Sequence, residues 1–221
     1  MFKSVLLYTN KLKALKRFYG DVMKLDIVEV SDEQFTVIFG DSTITFKQTD
    51  QPAFYHFAIN IPGNQFSMMK YWLEDRVKLN RDETRDEVYF PSLDADSMYF
   101  EDPAGNIVEL IGRRKRDLFG ELTKASFLNV SEVGVTALMV TEVGEQLQDF
   151  GIPLRRGTEV KSESANFLGS GDAFIVLVPP NRKWYFSKKI SEIHPLEIDL
   201  IDGGHIDLDA EGKITLSRKT E

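Results

Sequence analysis

The sequence predicts an α+β fold built from repeated βαβββ units whose curled mixed sheets enclose a concave pocket. Two observations predict it. Residues 3–46 run in the order strand, amphipathic helix and three short strands, and residues 54–111 repeat that order. A repeat period of about 50–60 residues indicates an internal duplication of one supersecondary unit.

In the first unit, apolar residues at helical spacing follow a short apolar strand, and small turns separate the three later strands. We expect its strand at 3–8, its helix at 12–22, and its remaining strands at 26–30, 34–39 and 43–46. The second unit has the same signals. We expect its first strand at 54–61, a helix carrying Phe66, Met69, Trp72 and Leu73 on one face, and strands at 87–90, 96–100 and 106–111.

The second unit closes on a hairpin, YFEDPAGNIVELIG at residues 99–112. Pro103 sets φ for the turn, and Gly105 can adopt a positive φ. After the turn, strand alternation places Glu109 on the same face as Ile107 and Ile111. Burying a carboxylate there is costly unless a cation, a donor network or a metal meets it, so Glu109 is a candidate functional residue.

The domain organisation that we expect has four parts. Residues 1–112 form the paired units, at 1–50 and 54–112. Residues 113–127 form a linker, in which the basic cluster 113–116 is interpreted as a solvated face and not as a nucleic-acid patch. Residues 128–180 form a third, shorter βαβββ-like unit, and residues 181–221 form a C-terminal extension with small strands.

Composition excludes several classes of function. The chain has 221 residues, 42% of them hydrophobic, which suffices for a sizeable core. It has no cysteine, so disulfides and cysteine-based zinc sites or nucleophiles are excluded. A formal charge of −8 argues against a nucleic-acid partner. No apolar run approaches the ~18 residues that a membrane span needs. With no signal peptide evident at the N-terminus, we expect a cytoplasmic protein without a membrane partner.

Three segments resemble the vicinal oxygen chelate superfamily, which includes glyoxalase I, the extradiol ring-cleaving dioxygenases and bleomycin-resistance proteins. They are LKALKRFYGDVMKL at 12–25, FYHFAINIP at 54–62 and YFEDPAGNIVELI at 99–111. The last is the most specific. The resemblance implies sheets curled around a cup, with metal ligands on inward strand faces. It places His56 at the first-strand histidine of the second unit and Glu109 at the last-strand glutamate.

The first unit departs from this pattern, because its corresponding positions are Ser4 or Leu6 and Thr45. A replacement is available in the third unit, whose strand VSEVGV places Glu132 where FYHFAI places His56. If the second and third units share a cup, His56, Glu109 and Glu132 could form a site for Fe, Mn or Zn. If the first two units pair instead, Glu132 is remote. The residues leave open whether units pair within one chain or between the chains of a homodimer.

The leading hypothesis is a divalent-metal enzyme, with a dioxygenase, lyase or isomerase activity, that acts on a small organic substrate with vicinal oxygens. Glu109 and His56 are its candidate catalytic residues. The alternative is a metal-free protein that binds or sequesters a small molecule in the same cup, as bleomycin-resistance relatives do. A third hypothesis makes the whole fold a scaffold whose C-terminal tail pairs with a partner subunit. Several aromatic and histidine side chains are secondary candidates for stacking on a substrate or for a lid, namely Tyr8, Tyr99, Trp184, Tyr185, His194 and His205.

Overall fold

A computed structural model describes residues 2–218 and contains two mixed β-sheets of seven strands each. The first unit of the chain forms four of the strands in one sheet. Its helix continues as a wider π-helical turn at Phe18–Val22. The elements of this unit are β1 (Phe2–Thr9), α1 (Leu12–Arg17), β2 (Ile27–Val28), β3 (Gln34–Phe39) and β4 (Ser42–Gln48).

The second and third units supply the other sheet. The second unit consists of β5 (His56–Pro62), a 3-10 turn (Gly63–Gln65), α2 (Phe66–Glu74), β6 (Glu87–Phe90), β7 (Ala95–Glu101) and β8 (Ile107–Arg113). The third unit, after a 3-10 turn at Lys124–Ser126, consists of β9 (Asn129–Thr136), α3 (Val140–Asp149), β10 (Asn166–Ser170) and β11 (Ala173–Val178).

The C-terminal strands are β12 (Leu196–Leu200), β13 (Gly204–Leu208) and β14 (Ile214–Arg218), and residues 219–221 of the expected extension lie outside the described residues. These three strands form an antiparallel meander that carries no helix. The meander is not an appendage, because β12 pairs with β1 and extends the first sheet.

Each helical unit has the same internal pairing. Its first strand lies parallel to its last strand, as in β1 with β4, β5 with β8 and β9 with β11. A parallel pair needs a long crossover connection, which the helix of each unit provides. The predicted α+β fold with repeated units and curled mixed sheets is therefore confirmed.

The pairing between units differs from the expectation that the two units within residues 1–112 pair with each other. The sheet orders are β14-β13-β12-β1-β4-β3-β2 and β10-β11-β9-β5-β8-β7-β6. The second unit thus pairs with the third through antiparallel β5 and β9, and the first pairs with the C-terminal meander. The correction has a simple reason: alternation along a strand defines its faces, but it does not say which strand fills its free edge.

One continuous hydrophobic cluster contains side chains from both sheets and all three helices. Phe57 and Ile59 of β5 belong to it together with Met69 and Leu73 of α2. His56 and Ala58 alternate with these residues, and so lie on the opposite face of β5. That face carries the candidate site. Within residues 2–218, none of the helices has both the length and the apolar character that a membrane span requires.

The expected solvated linker begins later than predicted. Arg113 is the last residue of β8 and is only 5% exposed. Its Nε donates to Oδ1 of Asn60 at 2.9 Å and its Nη2 to Oγ of Ser131 at 3.0 Å. Because these side-chain acceptors come from distant parts of the chain, the burial of Arg113 has no local signal in the sequence.

Candidate metal centre and substrate cavity

Three adjacent strands of the second sheet bring the predicted residues together. Ala58 of β5 pairs with Glu109 of β8 on one side and with Glu132 of β9 on the other. Side chains of paired residues point to the same face of a sheet, so the two carboxylates flank a small methyl group. The methyl group leaves the carboxylates space to approach each other. His56 lies two residues before Ala58 on the same face and completes the group.

The imidazole of His56 sits close to both carboxylates. Its Nε2 lies 3.6 Å from Oε2 of Glu109 and 3.8 Å from Oε2 of Glu132. Its Nδ1 lies 3.1 Å from the carbonyl oxygen of Ile107. A carbonyl can only accept a hydrogen bond, so this contact assigns the proton of the neutral ring to Nδ1. The lone pair on Nε2 then faces the two carboxylates.

All three side chains are buried, with exposures of 6% for His56, 3% for Glu109 and 4% for Glu132. Burial, and then the charge of Glu132, raise the pKa of Glu109 to about 7, although His56 and the Tyr99 phenol act in the opposite direction. Burial alone lowers the pKa of His56, but the two carboxylates outweigh it and raise that pKa above its ordinary 6.5. Burial and the proximity of the two carboxylates therefore disfavour the state in which both are ionised without a cation.

The turn before β8 is firmly held, which positions Glu109. Oδ1 of Asp102 accepts from the backbone N–H of Ala104 at 2.9 Å and of Asn106 at 3.0 Å. Its Oδ2 accepts from the Tyr19 hydroxyl at 2.7 Å, and Gly105 has a φ of +82°. The tight turn expected from the sequence is thus anchored to the first unit through Tyr19.

The group lies at the wall of a cavity of about 320 Å³. Residues 179–191, here called the strap, contribute Trp184 and Tyr185 to its lining. The Trp184 ring centroid is 5.0 Å from that of His56. The other lining residues are mostly aromatic or aliphatic, with two arginines, and include Phe90, Leu93, Tyr99, Arg155, Phe167, Val176 and Arg182.

The strap is fastened by polar contacts as well as by packing. The backbone N–H of Trp184 donates to the Lys189 carbonyl oxygen at 3.0 Å, and Lys189 Nζ lies 3.1 Å from Oε2 of Glu101. Trp184 packs over Gly134 of β9, where a Cβ atom would lie 2.9 Å from its ring. The absence of a side chain at Gly134 therefore allows the Trp184 ring to pack closely against β9.

The secondary candidates fall into two groups. Tyr99, Trp184 and Tyr185 line the cavity. Tyr8 belongs to the first sheet, with its hydroxyl 3.4 Å from Oε1 of Glu197. The two tail histidines do not line the cavity: His194 packs against the rings of Phe54 and Tyr55, and His205 Nδ1 lies 3.0 Å from Oδ1 of Asp199.

The corresponding positions of the first unit make polar contacts of another kind. Ser4 donates to Oδ2 of Asp199 at 2.9 Å, and the hydroxyls of Thr45 and Thr36 lie 2.8 Å apart. Leu6 on the same strand is apolar. Across residues 2–218, the group of metal-ligating side chains with suitable spacing is His56, Glu109 and Glu132.

Sequence reasoning missed the two arginines of the cavity. Arg155 follows α3 in a loop and Arg182 lies in the strap, and neither belongs to a periodic segment. Loops carry functional side chains whose partners are set by tertiary contacts, so no pattern in the neighbouring sequence identifies these two residues.

Known structures resemble this architecture. A putative dioxygenase from Bacillus subtilis superposes with a TM-score of 0.58 over 80% of this chain and 62% of its own, at 15% identity. The chain has the vicinal oxygen chelate fold. Two shorter proteins align with 51% of the chain: a lactoylglutathione lyase from Agrobacterium tumefaciens (TM-score 0.43, 20% identity, 92% of that chain) and a glyoxalase/dioxygenase from Nostoc punctiforme (0.40, 17%, 90%).

One part of the chain also matches a family model. Residues 130–182 match the family described as toxoflavin-degrading enzyme. The matched segment contains Glu132, α3 and the start of the strap, whereas His56 and Glu109 lie outside it. No curated protein matches the sequence.

Proposed function

We propose that the protein is a divalent-metal-dependent enzyme that acts on a small organic substrate with vicinal oxygens. The observation that carries the proposal is the convergence of His56, Glu109 and Glu132, whose candidate ligand atoms all lie within 4.8 Å of one another. One imidazole and two carboxylates suit Mn, Fe or Zn.

The donor set fits a metal in both spacing and protonation. Nitrogen and oxygen donors that share a metal at about 2.1 Å lie roughly 3–4 Å from one another. The distances from His56 Nε2 to the two carboxylates, 3.6 and 3.8 Å, fall in this range. The Ile107 carbonyl holds the proton of His56 on Nδ1 and so leaves Nε2 free to ligate, an arrangement common around metal-bound histidines.

The charge of the group also favours a cation. Two carboxylates and an imidazole lone pair face each other in a buried place, where unpaired charge is expensive. A bound divalent ion would act as a Lewis acid and polarise the vicinal oxygens of the substrate.

The chain itself would bind a planar substrate between the Tyr99 and Trp184 rings, while the strap limits the entry of water. A cavity of about 320 Å³ suits a small molecule.

Metal analysis of the purified protein tests this proposal, with His56→Ala as the key variant. We expect close to one equivalent of metal in the wild type and at least about a tenfold loss of affinity in the variant, because a ligand is removed. His205→Ala is the matched control, because His205 lies in the first sheet beside Asp199. Equal metal content in wild type and His56→Ala would contradict the metal site.

The metal-free binding protein is the second candidate, and one observation favours it. With its pKa at about 7, Glu109 can hold a proton near neutral pH, which neutralises part of the buried charge without a metal. The two candidates differ in the same experiment. Protein that carries no metal after growth with added Mn, Fe and Zn, yet binds an aromatic ligand with quenching of Trp184 fluorescence, would support sequestration over catalysis.

A further inference from the structure

A second cavity, of about 230 Å³, adjoins the first one. The two share Ser92, Leu93 and Arg155 in their linings, so they are neighbouring parts of one recess. The charged side chains of the second cavity define what we call the basic annex: Arg113, Lys115, Arg116, Arg155 and Asp172.

The basic annex contains four cations against one carboxylate, in a chain whose formal charge is −8. The carboxylate is already engaged, with Oδ2 of Asp172 2.7 Å from Nε of Arg116 and its Oδ1 3.5 Å from Nε of Arg113. Within residues 2–218, Lys115 and Arg155 have no ion-pair partner. The basic annex therefore carries positive charge that no carboxylate of the described residues neutralises.

Two of the guanidinium groups are held in place before any ligand binds. Arg113 is fixed by Asn60 and by Ser131, which sits at the irregularity where β9 pairs with β5. Arg155 donates from Nη2 to the Ser92 carbonyl oxygen at 3.0 Å and lies 5.0 Å above the Phe174 ring. Pre-organised donors lose little side-chain entropy when they bind an anion.

The cations also crowd one another. Burial, and then the positive charges of Arg156 and Arg113, lower the pKa of Arg155 from its ordinary value. Burial also lowers the pKa of Arg113, against the opposing charges of Asp172, Glu132 and Glu109, and Arg116 adds a smaller effect in the lowering direction. An anion placed among these groups would relieve this repulsion.

The annex lies in line with the candidate metal centre. Glu109 and Arg113 are four residues apart on β8, so their side chains leave the same face of the strand. Four residues of a strand span roughly 13 Å. One elongated small molecule can therefore reach both places.

We propose that the basic annex binds an oxyanion, a carboxylate or a phosphate, at the far end of the substrate whose vicinal oxygens lie at His56, Glu109 and Glu132. The anion site itself stands independently, whereas its link to the substrate rests on the proposed function. The substrate class is thus an anionic compound with its vicinal oxygens at one end and its charge at the other.

The first experiment needs no metal. Inorganic phosphate, and separately acetate, is titrated into chelator-treated protein labelled with ¹⁵N-arginine, at constant ionic strength, and the Nε–H signals are followed. We expect saturable shifts of Arg113 and Arg116 for at least one of the two anions. The Lys115→Gln/Arg155→Gln double variant should bind at least about tenfold more weakly, because charge-assisted hydrogen bonds are lost.

Two controls make this result decisive. Lys13→Gln removes an exposed cation on α1, in the first unit, and should leave the phosphate midpoint unchanged. Lys115→Gln alone alters an exposed side chain, so it tests the annex even if the double variant fails to fold. Linear, unsaturable shifts for both anions, or equal midpoints in wild type and variants, would overturn the anion site.

The second experiment tests the link to the substrate. A catechol that carries a propionate side chain and its methyl ester are titrated into the Mn-loaded protein. We expect the acid to bind about tenfold more tightly than the ester, and the difference to vanish in the double variant. Equal binding of acid and ester would overturn the link. If neither binds while phosphate still does, the proposed function fails and the anion site remains.

Discussion

At the scale of the residue, Glu109 is a buried carboxyl group beside a second carboxylate, and it is also a candidate functional residue. It lies between Tyr99 and Ala58 in the sheet and faces a second carboxylate across a single methyl group. Burial beside a like charge disfavours the ionised form, and its pKa of about 7 expresses that cost. Perturbed carboxyl groups that line a cavity are typical of functional sites.

This pKa predicts how stability depends on pH in the metal-free protein. Folded Glu109 keeps its proton up to about pH 7, whereas the unfolded chain loses it near 4.5. The folded state thus binds more protons between these values. The free energy of unfolding should fall as pH rises from about 4.5 to 7, by up to about 1.4 kcal/mol per pH unit. The raised pKa of His56 adds a loss of the same sign.

Urea unfolding from pH 5 to 8 in the presence of a chelator measures this slope. Glu109→Gln should flatten it, because the variant cannot lose the proton. Glu145→Gln, an exposed substitution on α3, is the control and should keep the wild-type slope. The interpretation fails if Glu109→Gln and the wild type lose stability in parallel across this pH range.

At the scale of the element, β9 and the strap depend on each other. Gly134 of β9 has no side chain, and the Trp184 ring fills the space above it and packs against His56. Tyr99 and Phe186 stack with centroids 4.9 Å apart and continue the aromatic wall. A segment with no regular strand thereby becomes a fixed part of the cavity.

Gly134→Ala tests this dependence. The added methyl group would lie 2.9 Å from a Trp184 ring atom and 3.2 Å from Cβ of His56, so the ring must move. We expect a loss of about 1–3 kcal/mol in unfolding free energy, together with a changed near-UV circular dichroism spectrum. In the control Gly20→Ala the methyl group meets only the Ile27 side chain, at 3.4 Å. Similar spectra for Gly134→Ala and wild type would show that the strap does not rest on Gly134.

At the scale of the whole molecule, the chain forms two sheets, and the candidate metal ligands all lie on the second sheet. The second and third units share the sheet that carries His56, Glu109 and Glu132, while the first unit pairs with the C-terminal meander. The hydrophobic cluster that joins both sheets contains Leu7 and Phe46 as well as Phe57 and Val133. The two sheets are therefore coupled through one core.

This shared core predicts a single unfolding transition. Far-UV circular dichroism reports on both sheets, whereas the two tryptophans, Trp72 and Trp184, report on the second sheet and its α2. We expect both signals to change at the same urea concentration, because separation of the sheets would expose the common core. A dichroism transition without a matching change in fluorescence would show that the first sheet unfolds alone.

Much of the fold and part of the candidate site can be predicted from the sequence. Local periodicity predicts the βαβββ order and which side chains share a strand face, because alternation and helical spacing act over a few residues. The inward orientation of His56 and Glu109 was implied by the resemblance to the vicinal oxygen chelate superfamily. The sequence also identified Glu132, conditional on a shared cup. It could not determine that β9, and not the first unit, fills the free edge of β5, because apolar strand edges are chemically alike.

Tertiary structure alone decided the remaining features. The burial of Arg113, the place of Arg155 beside the cavity and the closure of the strap over Gly134 all depend on contacts between distant segments. A short sequence window determines on which face of its strand a side chain lies, but not which distant residues pack against it. The sequence by itself thus determined the units and which side chains share a strand face, and packing decided which units meet and which charges accumulate beside the centre.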